Sequence, residues 1–229
     1  EIGKEASVKA LARLNPQKLP TGEIPVLFNP ETASGLLAQF FSAISGGLLF
    51  RNASFLNNRL NSKVFPNWVT LTEQPHILSG IGSGAFDSDG LPTKSQAFVD
   101  KGILQKYVLS LYSANRLGLS STHNGGGVRN VIFSGDKSQA ELMKSIDTGF
   151  LVTDMMGQGA NLVTGDYSRG ASGFWFEKGE IKHPVHEVTV ASNLADLFLS
   201  LADVGNDTDL RRNIASGSMA FPKMMVAGG

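Results

Sequence analysis

Apolar residues recur at helical spacing in two places near the start of the chain. Ile2, Ala6, Ala10 and Leu14 predict an opening helix, and Leu36, Leu37, Phe40, Phe41 and Ile44 predict a second that Pro30-Glu31-Thr32 opens and Gly46-Gly47 stops. Between them, Asn15-Pro16 and Leu19-Pro20-Thr21-Gly22 break the chain before a short apolar strand over 24–28. Beyond Phe65-Pro66 the period shortens to that of strands, expected over 68–73, 96–100, 103–109, 128–134, 150–153, 162–165, 173–177, 180–183 and 187–191. Helices return only over 112–117, 139–146 and 194–202. This mixture predicts an α+β fold with a mixed, largely antiparallel sheet or barrel-like core and a few packed helices.

Two segments repeat one design. Phe98 to Leu104 and Trp175 to Ile181 both set acid-Lys-Gly between an aromatic-bearing strand and an aliphatic one, and each glycine can supply the positive φ of a tight hairpin. The chain opens at Glu1 inside the first helix, so residues 1–18 read as a helical lead-in from an N-terminal domain and 19–229 as the domain proper.

Composition narrows the function. The 20 basic residues balance the 20 acidic ones, which leaves no electrostatic footprint for binding nucleic acid through its phosphates. With no cysteine there is neither disulfide nor thiolate metal site, and a reducing cytoplasm is the expected location. The most apolar stretch, 36–50, is interrupted by Gln39, Ser42 and Ser45, so no membrane span is expected.

Catalytic motifs are scarce. His183 and His186, three apart on a strand, point to opposite faces, and His76 follows Gln74-Pro75 in a loop and reads as structural. Ser168, Ser172 and Ser216 are conceivable nucleophiles, yet none sits in a Gly-x-Ser-x-Gly frame or near a histidine in sequence. Gly157-Gln158-Gly159 lacks the third glycine of a dinucleotide loop. Two polar, glycine-rich loops remain as candidate site edges, one around His123, Asn124 and Gly125, the other around Asp166, Tyr167, Ser168 and Arg169. Asp166 and Arg169 can equally form an internal ion pair.

Several segments together carry a family resemblance: Ser42 to Gly47, Phe65-Pro66-Asn67-Trp68, Phe86-Asp87-Ser88-Asp89-Gly90, Tyr112 to Leu119, Gly165 to Phe176 and Gly205-Asn206-Asp207. From Leu19 onward the chain resembles the C-terminal domain of the TldD/PmbA family, once called modulators of DNA gyrase, and most of all its PmbA/TldE branch. In the TldD branch a helix carries His-Glu-x-x-x-His, which with a later cysteine holds zinc while the glutamate acts as general base. Aligning Gly35-Leu36-Leu37-Ala38 with the start of that helix puts Gln39 and Ile44 at the histidines and Phe40 at the glutamate, and Ser216 falls at the cysteine. Positions 39 and 44 lie about 140° apart round an ideal helix. None of the four supplies the missing chemistry, so the resemblance implies a subunit with no catalytic residue, metal or cofactor of its own. It implies a zinc-bearing TldD-like partner in a heterodimer, or a homodimer, and linear or unfolded peptide substrates such as antitoxins and leader peptides. A stand-alone hydrolase with an unrecognised serine or threonine as nucleophile, and a module that only binds a partner, are the alternatives.

Overall fold

The computed structural model describes residues 1–228, the side chain of Glu5 excepted. After the exposed helix α1 (Ile2–Leu11), five strands close into a barrel: β1 (Gly22–Phe28), β6 (Gly149–Met156), β7 (Asp166–Glu177), β8 (Glu180–Asn193) and β11 (Met219–Gly228). Only β1 and β6 run parallel; β11 returns antiparallel to β1, Gly22 opposite Val226, and so completes the ring. Closure leaves the barrel no open edge, and β9 (Asp203–Val204) adds only a short pairing to β11. A second sheet has the order β10 (Ile214–Ser216), β5 (Val131–Phe133), β2 (Leu71–Glu73), β3 (Gln96–Asp100), β4 (Ile103–Leu104).

Alternation along the barrel strands sorts their side chains between two cores. Val26, Phe28, Phe150 and Val152 join the main core, whereas Leu27, Leu151, Phe176 and Ala220 pack under helix α5 (Gln139–Ile146) through Leu142 and Met143. The main core is organised on helix α2 (Pro30–Ala43). Asn29 caps it by accepting the Thr32 N–H at 3.0 Å, and Pro30 occupies the first turn, where its missing N–H costs nothing. Phe40 is fully buried and meets Phe65 and Phe198 edge to face, with ring centroids 5.0 and 5.6 Å away; Phe41 does the same with Phe98. The short helices α3 (Gly46–Leu49), α4 (Leu111–Leu117) and α6 (Leu194–Leu199) surround this cluster.

Several expectations need correction. Residues 162–165 form a turn, not a strand: the Leu162 carbonyl accepts from Phe55 and Gly165, at φ 84°, donates to the Asn161 carbonyl. Strand β7 then begins at Asp166, so Tyr167, Ser168 and Arg169 lie in the barrel wall opposite Ser192, Ala191 and Val190 rather than in a loop. Their small and glycine neighbours read as loop because paired backbone, not side-chain propensity, holds this stretch. Similarly β8 is continuous through Pro184, whose carbonyl accepts from Gln17 while Glu187 takes up a positive φ at a bulge. The segments after Leu104 and Leu199 leave sheet and helix earlier than expected. Both repeated hairpins are as expected: Lys101-Gly102 and Lys178-Gly179 place two consecutive residues at positive φ.

Because Phe40 is enclosed on every side, Phe40→Ala is expected to lower unfolding free energy by about 3–5 kcal/mol in urea titration, and a loss below about 1 kcal/mol would contradict this packing.

Candidate functional site

Helix α2 is buried except along one strip. Glu31, Gly35, Ala38 and Ser42 recur four, three and four residues apart and face outward, while Leu36, Leu37, Phe40 and Phe41 fill the core. Along that strip run three hollows of 230, 540 and 330 Å³ that share walls, so they form one trough. The first is bordered by Thr32, Gly35, Asp154 and Arg169, and the second by Ser34, Ala38, Arg129 and Arg212. Phe41, Ser42, Ser45 and Val108 border the third.

The wall facing α2 is made from residues 126–129 and 213–214. The Asn213 side chain donates to the carbonyls of Val128 and Arg129 at 3.1 and 3.3 Å, and Val131 donates to the Asn213 carbonyl at 2.7 Å. Strand β10 is tied to the helix by the Ser216 N–H, which donates to Ser34 Oγ at 2.9 Å. Among the described residues, neither Gly126 nor Val128 uses its backbone N–H within the chain.

Behind this wall lies a buried polar network. Glu73, 1% exposed, accepts from Asn124 Nδ2, Gln96 Nε2 and the Arg129 N–H at 2.6–3.0 Å. Asp87 accepts the backbone N–H groups of Gly125, Leu91 and Asp89 at 2.8–2.9 Å. Desolvation pushes the Asp87 carboxyl up, but these three donors and the nearby His123 outweigh it and hold it below the usual carboxylate range. The glycine-rich loop is thereby fixed, with Gly126 and Gly127 at positive φ.

Of the expected site residues, Arg169 borders the first hollow of the trough, and the others are dispersed. His123, Asn124 and Gly125 support the trough wall from behind, and His123 Nδ1 pairs with the Pro92 carbonyl at 2.7 Å. Asp166 and Ser168 border a separate 400 Å³ hollow with Gln158 and Asn161. Tyr167 is buried, which pushes its phenol up despite the adjacent Arg169 guanidinium. The ion pair between Asp166 and Arg169 does not form: Arg169 donates to the Gly157 carbonyl at 2.7 Å, and Asp166 accepts from Thr164. Phe40 and Ile44 are core, Gln39 is half-buried on the shoulder of the strip, and Ser216 is buried with Oγ donating to the Gly217 carbonyl. Sequence reading passed over Ala38, Ser42, Arg129 and Asn213. The outward strip of small residues opposite the apolar stripe was the available signal.

Two of the segments that carry the family resemblance have structural duties. Asp207 accepts from the Ser218 N–H and hydroxyl at 2.9 and 2.7 Å, holding the turn between β10 and β11. Ser110 forms a capping box with Ser113 at the start of α4, and Gly118 ends that helix in the left-handed region.

Over residues 21–228 the chain matches the model of the PmbA/TldA metallopeptidase C-terminal domain. The chain belongs to the PmbA/TldD family. It is 45% identical over 229 residues to a Haemophilus influenzae metalloprotease PmbA homolog, covering 99% of this chain and 51% of that protein. Thus it spans about half the length of the curated relatives it matches. A Bacteroides thetaiotaomicron structure described as a modulator of DNA gyrase superposes with a TM-score of 0.94 at 33% identity, over 99% of this chain and 52% of that one. TldE from Thermococcus kodakarensis shares the fold, with a TM-score of 0.85 at 24% identity over 98% and 55% of the two chains.

A zinc site of the family's kind does not fit the side chains present. An amide, a phenyl ring, an aliphatic chain and a buried hydroxyl occupy positions 39, 40, 44 and 216, and the trough-facing Ala38 and Ser42 add no strong ligand. Among the described residues no three His, Asp or Glu converge as a metal site, no histidine ring bonds a serine, and no helix is long and apolar enough to cross a membrane.

The Asp87 carboxyl titrates lower folded than unfolded, so its stabilisation is complete above its ordinary value of 3.8 and is lost as pH falls through the lower folded value. Asp87→Asn should therefore cost stability at neutral pH, and the gap from the unmodified protein should narrow in acid. Urea titrations across pH 2–7 measure this, and a gap that widens in acid would contradict it.

Proposed function

We propose that this chain is the C-terminal domain of a metal-free subunit in a TldD/TldE-type zinc metalloprotease that acts in the cytoplasm on linear or unfolded peptides. The trough along α2 carries this reading. Its floor is small side chains, its far wall contains Gly126 and Val128, whose N–H groups bond nothing among the described residues, and its donor set does not fit zinc. An extended peptide can pair with such backbone groups whatever its sequence, which suits a chamber accepting varied substrates. The zinc and the general base would then come from a TldD-like partner, with this subunit shaping the chamber.

Family membership supports the metallopeptidase part of the reading. Against a stand-alone hydrolase, no histidine ring bonds a serine among the described residues, and Thr93, which meets His76 Nε2 at 3.0 Å, is buried with its hydroxyl donated to the Gly84 carbonyl. Co-expression of the full-length protein with a His-Glu-x-x-x-His partner tests it. The mixed complex should cleave a disordered peptide in a chelator-sensitive way, and the full-length protein alone should not. Cleavage by the protein alone would overturn the reading. Within that complex, Ala38→Phe should fill the trough and lower kcat/KM for a linear peptide by about tenfold or more, with assembly unchanged on size-exclusion chromatography. Full activity in an assembled Ala38→Phe complex would remove the trough from the substrate path.

A further inference from the structure

The three arginines that border the middle hollow are not equivalent. Arg211 grips Asp209 with Nε and Nη2, at 2.8 Å to Oδ1 and 2.6 Å to Oδ2, and this pairing holds the Asp209 carboxyl down to about 2. Arg212 Nη2 lies 3.2 Å from Glu31 Oε1. Among the described residues Arg129 has no such partner. Its Nη2 donates at 3.3 Å to the Phe86 carbonyl, and its Nε is buried with no hydrogen-bond partner.

The two buried acids that hold this wall are already committed. Glu73 takes the Arg129 backbone N–H at 2.6 Å together with the Asn124 and Gln96 amides, and Asp87 is taken up by three backbone donors. Those bonds fix the Arg129 backbone in the trough wall while leaving its guanidinium without a counter-charge. Arg129 is half-buried and borders the hollow, so a guanidinium without a counter-charge lies at the trough's edge, and the shape that best matches it is a planar, two-oxygen anion.

We propose that Arg129 receives a carboxylate of the bound peptide, either an Asp or Glu side chain or the C-terminal carboxylate, so that the trough selects for acidic linear peptides. The proposal rests on reading the trough as a peptide site. It adds a specificity element to a wall that otherwise meets only backbone.

Fluorescence anisotropy with the full-length protein tests it, using three labelled disordered peptides: neutral with an amidated C-terminus, the same with one Gln replaced by Glu, and the neutral sequence with a free C-terminus. One or both carboxylate-bearing peptides should bind about tenfold more tightly than the neutral amide. The arm that gains identifies the source of the carboxylate. Arg129→Gln should erase the gain, so that the three peptides bind equally, while Arg129→Lys should keep part of it. If Arg129→Gln does not fold, Arg129→Lys decides, because an undiminished preference without the guanidinium fork overturns the proposal. Equal affinity for all three peptides, or a preference that survives Arg129→Gln, also overturns it and leaves the peptide site standing. Failure of every peptide to bind overturns both.

Discussion

The burial of α2 is the constraint on which the rest of the structure depends. Once Phe40 is enclosed by Phe65 and Phe198, and Phe41 by Phe98, the helix can neither rotate nor slide without exposing aromatic surface. Its outward strip of Glu31, Gly35, Ala38 and Ser42 is therefore fixed in direction, and small residues there leave room for the trough. The barrel supports one flank of the helix through β1 and β6, and the second sheet supports the other through β10.

The opposite wall depends on a different force. Gly125, Gly126 and Gly127 have no side chain to pack, so buried carboxylates position this loop: Glu73 through Asn124 and the Arg129 N–H, Asp87 through the Gly125 N–H. A fully satisfied polar network of this kind is rigid, which suits a wall that must present backbone donors at a fixed distance from a helix. A glycine loop that looks flexible in sequence is in this way made into a surface.

Much of the fold was legible in sequence because periodicity reports burial. The helix carrying Phe40 and Ile44, the two Lys-Gly hairpins and the α5 segment all follow from local pattern. What sequence hid was non-local pairing. Tyr167 to Arg169 looked like loop because their strand is held by partners in β8 and β6, not by their own propensity. The site was less legible still. His123 and Asn124 were conspicuous as polar residues among glycines, but they serve as supports, whereas Ala38 and Asn213 border the trough and carry no chemical signal of their own. A surface that binds backbone leaves few marks in side-chain chemistry.

Hydrogen–deuterium exchange of the full-length protein, with and without a saturating disordered peptide, tests the central claim most directly. Peptide should slow exchange at the Gly126 and Val128 amides, which are open in the free chain, and leave the hollow beside Gln158 and Asp166 unchanged. Protection confined to that hollow, or to the barrel's outer surface, would contradict the account.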